Sequence, residues 1–355
     1  MHAESQIGVF GYFGGRNLGD DLMLESLLPK LGEDVVLFAR NADEVRSEGA
    51  SNLDVLTASA PSILRRLPVL SRLVRCGGTI FHDEVGQPGL RVAAVYAMQV
   101  ALLAAARLFG ARPALLGIGI GKIERRTTRL ALLAALRLSN PVVFRDSVSL
   151  DRARELGFTR GILGVDLAFV GQTATEAASE PIRGNSAIAV SPVDLERYGN
   201  SFAGIDQVEG WVQLIRASMP DRDAPQPVKV LAFKDNERES DMPIAREIVE
   251  GLIASGLDAR LVSRVDAQAA VENASLVIAA RFHAGILGAM SKKPLVLVPY
   301  NRKIETLGVD LGIADAVVDP ARPLRTVTPM SADLTRLDER VKRSESAIKE
   351  LVSQR

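Results

Sequence analysis

The sequence predicts an α/β protein built from two Rossmann-like domains, each a parallel sheet covered by helices, facing a central cleft. Three observations carry that expectation. At 355 residues the chain exceeds what a single hydrophobic core usually organises, so two core-bearing halves are expected. From Gln6 onward, short apolar runs alternate with longer helical patterns, which is the rhythm of βαβ units. Between Gly171 and Asn185 that rhythm lapses into GQTATEAASEPIRGN, a polar stretch without a period, as an exposed linker should be. The expected division is an N-terminal domain over 1–172, a linker over 173–186, a C-terminal domain over 187–320 and a helical tail over 321–355.

Within the first half, strands are expected at Gln6–Phe10, Asp34–Ala39, Leu53–Thr57, Thr79–Phe81, Ala114–Ile118, Val142–Phe144 and Gly161–Leu163. Helical patterns fill the gaps at Asp20–Lys30, Arg91–Leu108, Thr127–Leu138 and Ser147–Leu156. The second half repeats the alternation. Strands at Ala187–Ser191, Val228–Phe233, Ala259–Val262, Leu276–Ala279 and Leu295–Val298 are interleaved with helices at Asp206–Ser218, Ser240–Ser255 and Phe282–Met290. Ser331–Ser353 is charged and helical, with a pattern suited to packing back across the hinge.

Composition narrows the function. Hydrophobic residues make up 47% and charged residues 24%, near globular averages, which argues against disorder and against a dedicated membrane protein. The 43 basic and 43 acidic side chains cancel, so no overall field favours nucleic acid and an anionic ligand must be met by local cations. A single cysteine, Cys76, excludes an intramolecular disulfide and any Cys-rich zinc site, which fits a cytoplasmic location. The first residues lack the pattern of a signal peptide. The longest apolar stretch, Val92 to Leu108, is interrupted by Gln99 and Arg107 and reads as a buried helix. Ile63 to Arg75 mixes Leu, Ile and Val with four arginines. It reads as a half-buried helix, with contact to an anionic membrane surface as the competing reading.

Chemistry concentrates in glycine-rich and cationic clusters. GYFGGRNLGDD lies between a strand and a helix, where small residues let a ligand approach backbone N–H groups. Its glycine spacing is not that of a dinucleotide fingerprint, so nicotinamide and flavin cofactors are not expected. Asn17 and Asp20 in this turn, with His82, Asp83 and Glu84 in CGGTIFHDE, are candidates for the acceptor side; a capped turn and a solvated loop are the plain alternatives. One histidine beside two acids is a weak metal signal, and no metal is expected. Arg145 sits just past an apolar strand, where α/β sheets bind ligands, and is placed to hold a carboxylate or phosphate unless a local acid pairs with it. The richest cluster is AARFHAGILGAMSKKPLVLVPYNRK. Arg281 and His283 follow a strand and open a helix, and Arg302 and Lys303 stand at the end of the next strand, so several cations converge near one imidazole. A satisfied core histidine is the alternative for His283.

In this order and spacing, GYFGGRNLGDD, GGTIFHD, GIGIG, RDSVSLDRARELG, VDLAF, ARFHAGILGAMSKKP and YNRKIETLGVDLG resemble the polysaccharide pyruvyl transferases, from about Gly11 to Gly312. The resemblance implies a fold like that of GT-B glycosyltransferases, phosphoenolpyruvate as donor and co-substrate without another cofactor, and a saccharide acceptor. It implies His283 as the acid and Arg145 and Lys303 as donor-binding residues, with Arg281 adding charge. A lipid-linked acceptor would bring the protein to the inner face of the cytoplasmic membrane. Three positions depart from the family pattern. Cys76 stands at a common glycine, Leu167 at a common proline and Phe282 at the usual leucine. A glycosyltransferase using a nucleotide sugar and a non-catalytic saccharide-binding homologue are the competing functions.

Overall fold

The computed structural model describes residues 6–47, 53–83, 89–171, 187–219, 225–236, 239–324 and 327–354. The chain divides into two units. Met1–Gly15, Asp20–Gly171 and Glu339–Arg355 form the first, and Arg16–Gly19 with Gln172–Asp338 form the second. The linker expected over 173–186 lies outside the described residues.

The first unit runs β1 (Gln6–Phe10), α1 (Leu18–Leu31), β2 (Val35–Ala39), α2 (Ala42–Ser47), β3 (Asp54–Thr57), α3 (Ala60–Arg66), β4 (Leu70–Cys76), β5 (Thr79–Phe81), α4 (Gly89–Leu108), β6 (Arg112–Ile120), α5 (Arg126–Leu138), β7 (Val142–Phe144), α6 (Ser147–Glu155) and β8 (Ile162–Leu163). Its sheet is parallel in the order β3-β2-β1-β4-β6-β7-β8, with β5 beside β6. The central strands are apolar on both faces because helices cover both sides of a parallel sheet. All five residues of β2 are buried, for example. Chain order reverses direction between β1 and β4, which makes their carboxyl ends the switch point at which such sheets form a ligand crevice.

Strand β4 corrects the sequence reading of Ile63–Arg75. Its first residues do form a helix, α3, started by the Ser59 side chain, which accepts from Ser62 N–H. After a 3-10 turn at Leu67–Val69 the remainder, from Leu70, is a central strand, with Ile7 of β1 opposite Arg72. Arg72 and Arg75 disguised it, since charged residues rarely occupy a buried strand. Both charges are met inside the protein: Arg72 donates to the Gln354 side chain at 3.1 Å, and the Arg75 guanidinium lies 5.2 and 5.1 Å from the Phe10 and Tyr12 ring centroids. Burial lowers the Arg72 pKa from its usual value, an effect the nearby Arg112 reinforces.

Helix α4 also differs from expectation. It buries Val92, Tyr96, Leu102, Leu103 and Ala106, but Leu90, Val95, Met98 and Leu108 are exposed, so it is a surface helix with apolar residues on both faces. The final helix, α12 (Asp338–Ser353), joins the first unit from Glu339 onward. There Ser344 Oγ accepts the Val165 N–H at 3.1 Å, and Arg340 donates to the carbonyls of Gly164 at 2.9 Å and Arg145 at 3.0 Å. Gly164 is needed at this crossing, because a Cβ would stand 2.2 Å from Ser344 Oγ.

The second unit runs β9 (Ile188–Ser191), α7 (Gln207–Ser218), β10 (Val228–Leu231), α8 (Met242–Ala254), β11 (Ala259–Val262), α9 (Arg264–Glu272), β12 (Leu276–Ala279), α10 (Phe282–Met290), β13 (Pro294–Leu297), α11 (Arg302–Asp310) and β14 (Met330–Ser331). Its sheet order is β11-β10-β9-β12-β13-β14, parallel except for β14. Asp206 caps α7 and Asn301 caps α11 through their side chains. Arg16–Gly19 is laced onto this unit: Leu18 N–H donates to Phe233 O at 3.1 Å, and Asp235 N–H to Arg16 O at 3.0 Å. Asn17 bridges to Lys234.

Candidate active site

His283 occupies the first turn of α10, directly after strand β12. That helix is almost wholly buried and rich in small residues. Gly285 and Gly288 let it lie close to β12 and β13, since a Cβ on Gly288 would approach Leu295 to 2.6 Å. The imidazole is then fixed from the opposite side by Gly19. A Cβ at Gly19 would fall 2.0 Å from His283 Nδ1 and 2.4 Å from its Cγ, so backbone and ring meet with no room for a side chain. Asn17, a sequence candidate for acceptor contact, holds this turn through its side chain, which accepts the Gly19 N–H at 3.4 Å.

Beside His283, the Phe282 ring stands edge-on at 5.4 Å between centroids. On Phe282 and Tyr300 rests the ammonium of Lys303, 5.8 and 5.3 Å from their centroids. Phe282 thus gives Lys303 a cation–π partner. Lys303 lies in the first turn of α11 rather than on a strand end. Tyr300 is buried, which works to raise its pKa, but the charges of Lys303 and Arg281 and a hydrogen bond from Lys303 outweigh burial and hold the phenol below its usual value.

Arg281 is bound inside the protein. Its Nη2 donates to Glu239 Oε1 at 2.7 Å and to Asp241, while its Nε donates to the two Asp241 oxygens at 3.2 and 3.1 Å. Burial opposes its charge, yet Asp241, Tyr300 and Glu239 more than compensate and keep it firmly protonated. Glu239 also receives Lys234 and the Tyr198 hydroxyl. Burial works to raise the Glu239 pKa, but Arg281, Lys234 and Tyr198 together hold it far below the carboxylate range. Next to this network is a polar cavity of about 150 Å³ lined by Asp194, Tyr198, Glu239, Asp241, Glu247 and Arg281, among others. Its carboxylates favour hydroxyl groups over an anion.

The remaining candidates lie in the first unit. Arg145 is sealed, its side chain 4% exposed. It donates to Asp146 at 3.1 Å and to Thr79 Oγ1 at 3.0 Å, and pairs with Asp166 at 3.7 Å. GIGIG makes this possible, for a Cβ on Gly119 would stand 2.7 Å from the guanidinium. The local-acid alternative for Arg145 therefore describes its hydrogen bonds. Asp83 starts α5 from outside the helix: its carboxylate accepts the N–H groups of Glu124 and Arg125 at 2.6 and 2.7 Å and the Thr128 hydroxyl at 2.7 Å. Those bonds hold its pKa below the usual value, against the opposing effect of burial. His82 has its backbone clasped by the Tyr96 hydroxyl, which donates to His82 O at 2.5 Å and accepts His82 N–H at 2.9 Å. Asp20 is buried in the first turn of α1, and Glu84 lies outside the described residues. Cys76 is buried, which pushes its thiol up to about 12 and leaves it unreactive. Among the described residues, no group of three or more His, Cys, Asp or Glu side chains is arranged to hold a metal ion.

The structure thus gathers His283, Arg281, Lys303 and Asn17 in the second unit and leaves Arg145, Asp20, His82 and Asp83 in the first. Sequence reasoning missed Gly19, Glu239, Asp241 and Tyr300. Tyr300 stood in the quoted PYNRK segment, and the acids of the Arg281 clamp could have been sought after β10, where a strand ends in FKDNERESD.

Two parallel sheets with ligand-ready turns at their carboxyl ends define a two-domain α/β protein of GT-B-like architecture. The solved structures it resembles agree. A UDP-GlcNAc 2-epimerase from Methanocaldococcus jannaschii matches with a TM-score of 0.57 at 10% identity, over 99% of this chain and 99% of that one. A putative UDP-N-acetylglucosamine 2-epimerase from Listeria monocytogenes matches with a TM-score of 0.56 at 10% identity, over 98% and 91%. A UDP-GlcNAc 2-epimerase from Neisseria meningitidis, bound to UDP-GlcNAc, matches with a TM-score of 0.53 at 10% identity, over 98% of both chains. At such identities the likeness is one of fold. No curated protein sequence matches significantly. The sequence profile of the polysaccharide pyruvyl transferases matches residues 17–302, and the chain belongs to that family.

Proposed function

We propose that this protein is a ketal pyruvyltransferase that moves the pyruvyl group of phosphoenolpyruvate onto two hydroxyls of a sugar, in a polysaccharide or a lipid-linked oligosaccharide, and releases phosphate. The observation that carries the reading is the His283 cluster: an imidazole immobilised against Gly19, with the Lys303 ammonium held nearby on Phe282 and Tyr300.

Phosphoenolpyruvate is an enol phosphate with a carboxylate, so the reaction needs a proton at its methylene carbon and cations about its anionic groups. In this proposal His283 gives the proton to the methylene carbon, and the positive charge that develops at C2 is attacked by the first sugar hydroxyl, which loses its proton. The C2–O bond to phosphate breaks, and a second hydroxyl of the same sugar bonds to C2 and closes the ketal; of the two hydroxyl protons released, one restores His283 and the other is taken up by the departing phosphate. Lys303 meets the donor's anionic groups directly. Arg281 adds a permanent positive charge but spends its hydrogen bonds on Asp241 and Glu239, and Arg145 serves within its own ion-paired knot. Phosphoenolpyruvate is a co-substrate here, and no step calls for another cofactor.

Incubation with ¹³C-labelled phosphoenolpyruvate and a bacterial oligosaccharide pool tests the reading. Acid-labile pyruvyl label should appear on glycan together with free phosphate, and His283→Gln should abolish both. Glycosyl transfer from a nucleotide sugar, with no labelled glycan, would overturn it.

A further inference from the structure

Six exposed large hydrophobic side chains, Leu64, Leu90, Val95, Met98, Leu108 and Leu130, fall on three helices of the first unit, α3, α4 and α5. Helix α4 packs along both of the others. Its outward face is apolar from end to end. Leu90, Ala94, Ala97, Met98, Ala101 and Leu108 recur at helical spacing and are all exposed, Leu90 at 85% and Leu108 at 87%. A solvated helix of this length carries charge on that face. The neighbouring outward face of α5 is mixed: Arg126, Arg129, Leu130 and Arg137 are exposed together, and α3 adds Leu64 and Arg65. Arg91 and Arg107 mark the two ends of α4. Neither α4 nor α5 contains an acidic residue.

We infer that the outward face of α3, α4 and α5 docks on the anionic surface of a lipid bilayer. An apolar stripe bordered by arginines, with no carboxylate in α4 or α5, complements acyl chains beneath negative headgroups. The helix lies on the membrane and does not cross it. Although α4 is long and apolar enough to span, its other face belongs to the core, where Val92, Leu102 and Leu103 are buried and the Tyr96 hydroxyl is bonded to His82. Only 22% of its most apolar window is buried, and Ala94, Ala97, Met98 and Ala101 within it are exposed. This surface replaces Ile63–Arg75 as the membrane contact, because Leu70–Arg75 of that segment belong to the core strand β4. The inference is independent of the donor chemistry proposed above.

Co-sedimentation with vesicles tests it, using phosphatidylcholine alone and phosphatidylcholine mixed with phosphatidylglycerol at low salt. The protein should partition onto the mixed vesicles and not onto the neutral ones. The triple substitution Arg126→Gln, Arg129→Gln, Arg137→Gln should weaken partitioning about a hundredfold, and Leu90→Glu, Met98→Glu, Leu108→Glu at least about tenfold. All six side chains are exposed, so the melting temperature should hold, and the single substitution Leu90→Glu serves if a triple variant fails to fold. Equal binding to both vesicle types, no binding, or binding unchanged by either set would overturn the inference. So would a dimer that the apolar set dissolves in the absence of vesicle binding, since a second copy would then be the occupant.

Discussion

Replacing Gly19 by alanine sets two effects against each other. Gly19 is the second residue of α1 and its φ lies outside the left-handed region, so helix propensity alone favours alanine, by up to about 1 kcal/mol. Against this, the new Cβ would stand 2.0 Å from His283 Nδ1, roughly 1.5 Å inside ordinary van der Waals contact. Overpacking of that kind costs about 1 to 3 kcal/mol, so the net loss of stability should be modest, about 0 to 3 kcal/mol. The larger consequence is for turnover. Relief of the clash moves the imidazole by more than about 1 Å, enough to cost on the order of 10²-fold in rate. Phosphate release from phosphoenolpyruvate, measured with an acceptor pool beside thermal melts, reads both effects. A double-mutant cycle isolates the cause: in a His283→Ala background the clash is gone, and Gly19→Ala should become neutral or stabilising. Normal turnover in Gly19→Ala, or stability effects that add within about 0.5 kcal/mol, would refute the positioning argument.

The remaining predictions concern the same cluster. His283→Gln should lose about 10²- to 10⁴-fold in turnover while phosphoenolpyruvate binding largely survives; near-normal turnover in the folded variant would remove His283 from the chemistry. Lys303→Ala should weaken donor binding by about 2 to 4 kcal/mol in calorimetric titration, and unchanged affinity would remove Lys303 from the site. Glu239 has a folded-state pKa held below its unfolded value of about 4.3. Its contribution to stability is therefore complete above that pH and is lost as the pH falls below it. Melting temperatures of Glu239→Gln should accordingly be lower than wild type at neutral pH and decline less on acidification; parallel curves would contradict the role given to the Arg281 clamp.

Much of the fold is legible in the sequence, and the gaps have identifiable causes. Strand β1 falls at Gln6–Phe10 and β12 at Leu276–Ala279 as expected, because buried parallel strands read as unbroken apolar runs. Strand β4 hid behind Arg72 and Arg75, whose buried charges are met by the Gln354 side chain and by the Phe10 and Tyr12 rings. The apolar content of α4 was legible but not its exposure, since a periodicity reports which residues share a face and not what covers it. At the site, Arg281, His283 and Lys303 were found because they flank strand ends in one sequence segment. The Gly19 contact joins residues far apart in the chain. The Asp241 and Glu239 clamp on Arg281 depends on the β10 loop meeting the end of β12, which follows from sheet order and from no local pattern.

Thermal melting with phosphoenolpyruvate set against UDP and UDP-GlcNAc tests the central claim most directly, because a ligand that binds only the folded state raises the melting temperature by mass action. A pyruvyltransferase should be stabilised by phosphoenolpyruvate, with the shift reduced in Lys303→Ala, and left unmoved by the nucleotides. Stabilisation by UDP or UDP-GlcNAc with none by phosphoenolpyruvate would contradict the account and assign the protein to nucleotide-sugar chemistry.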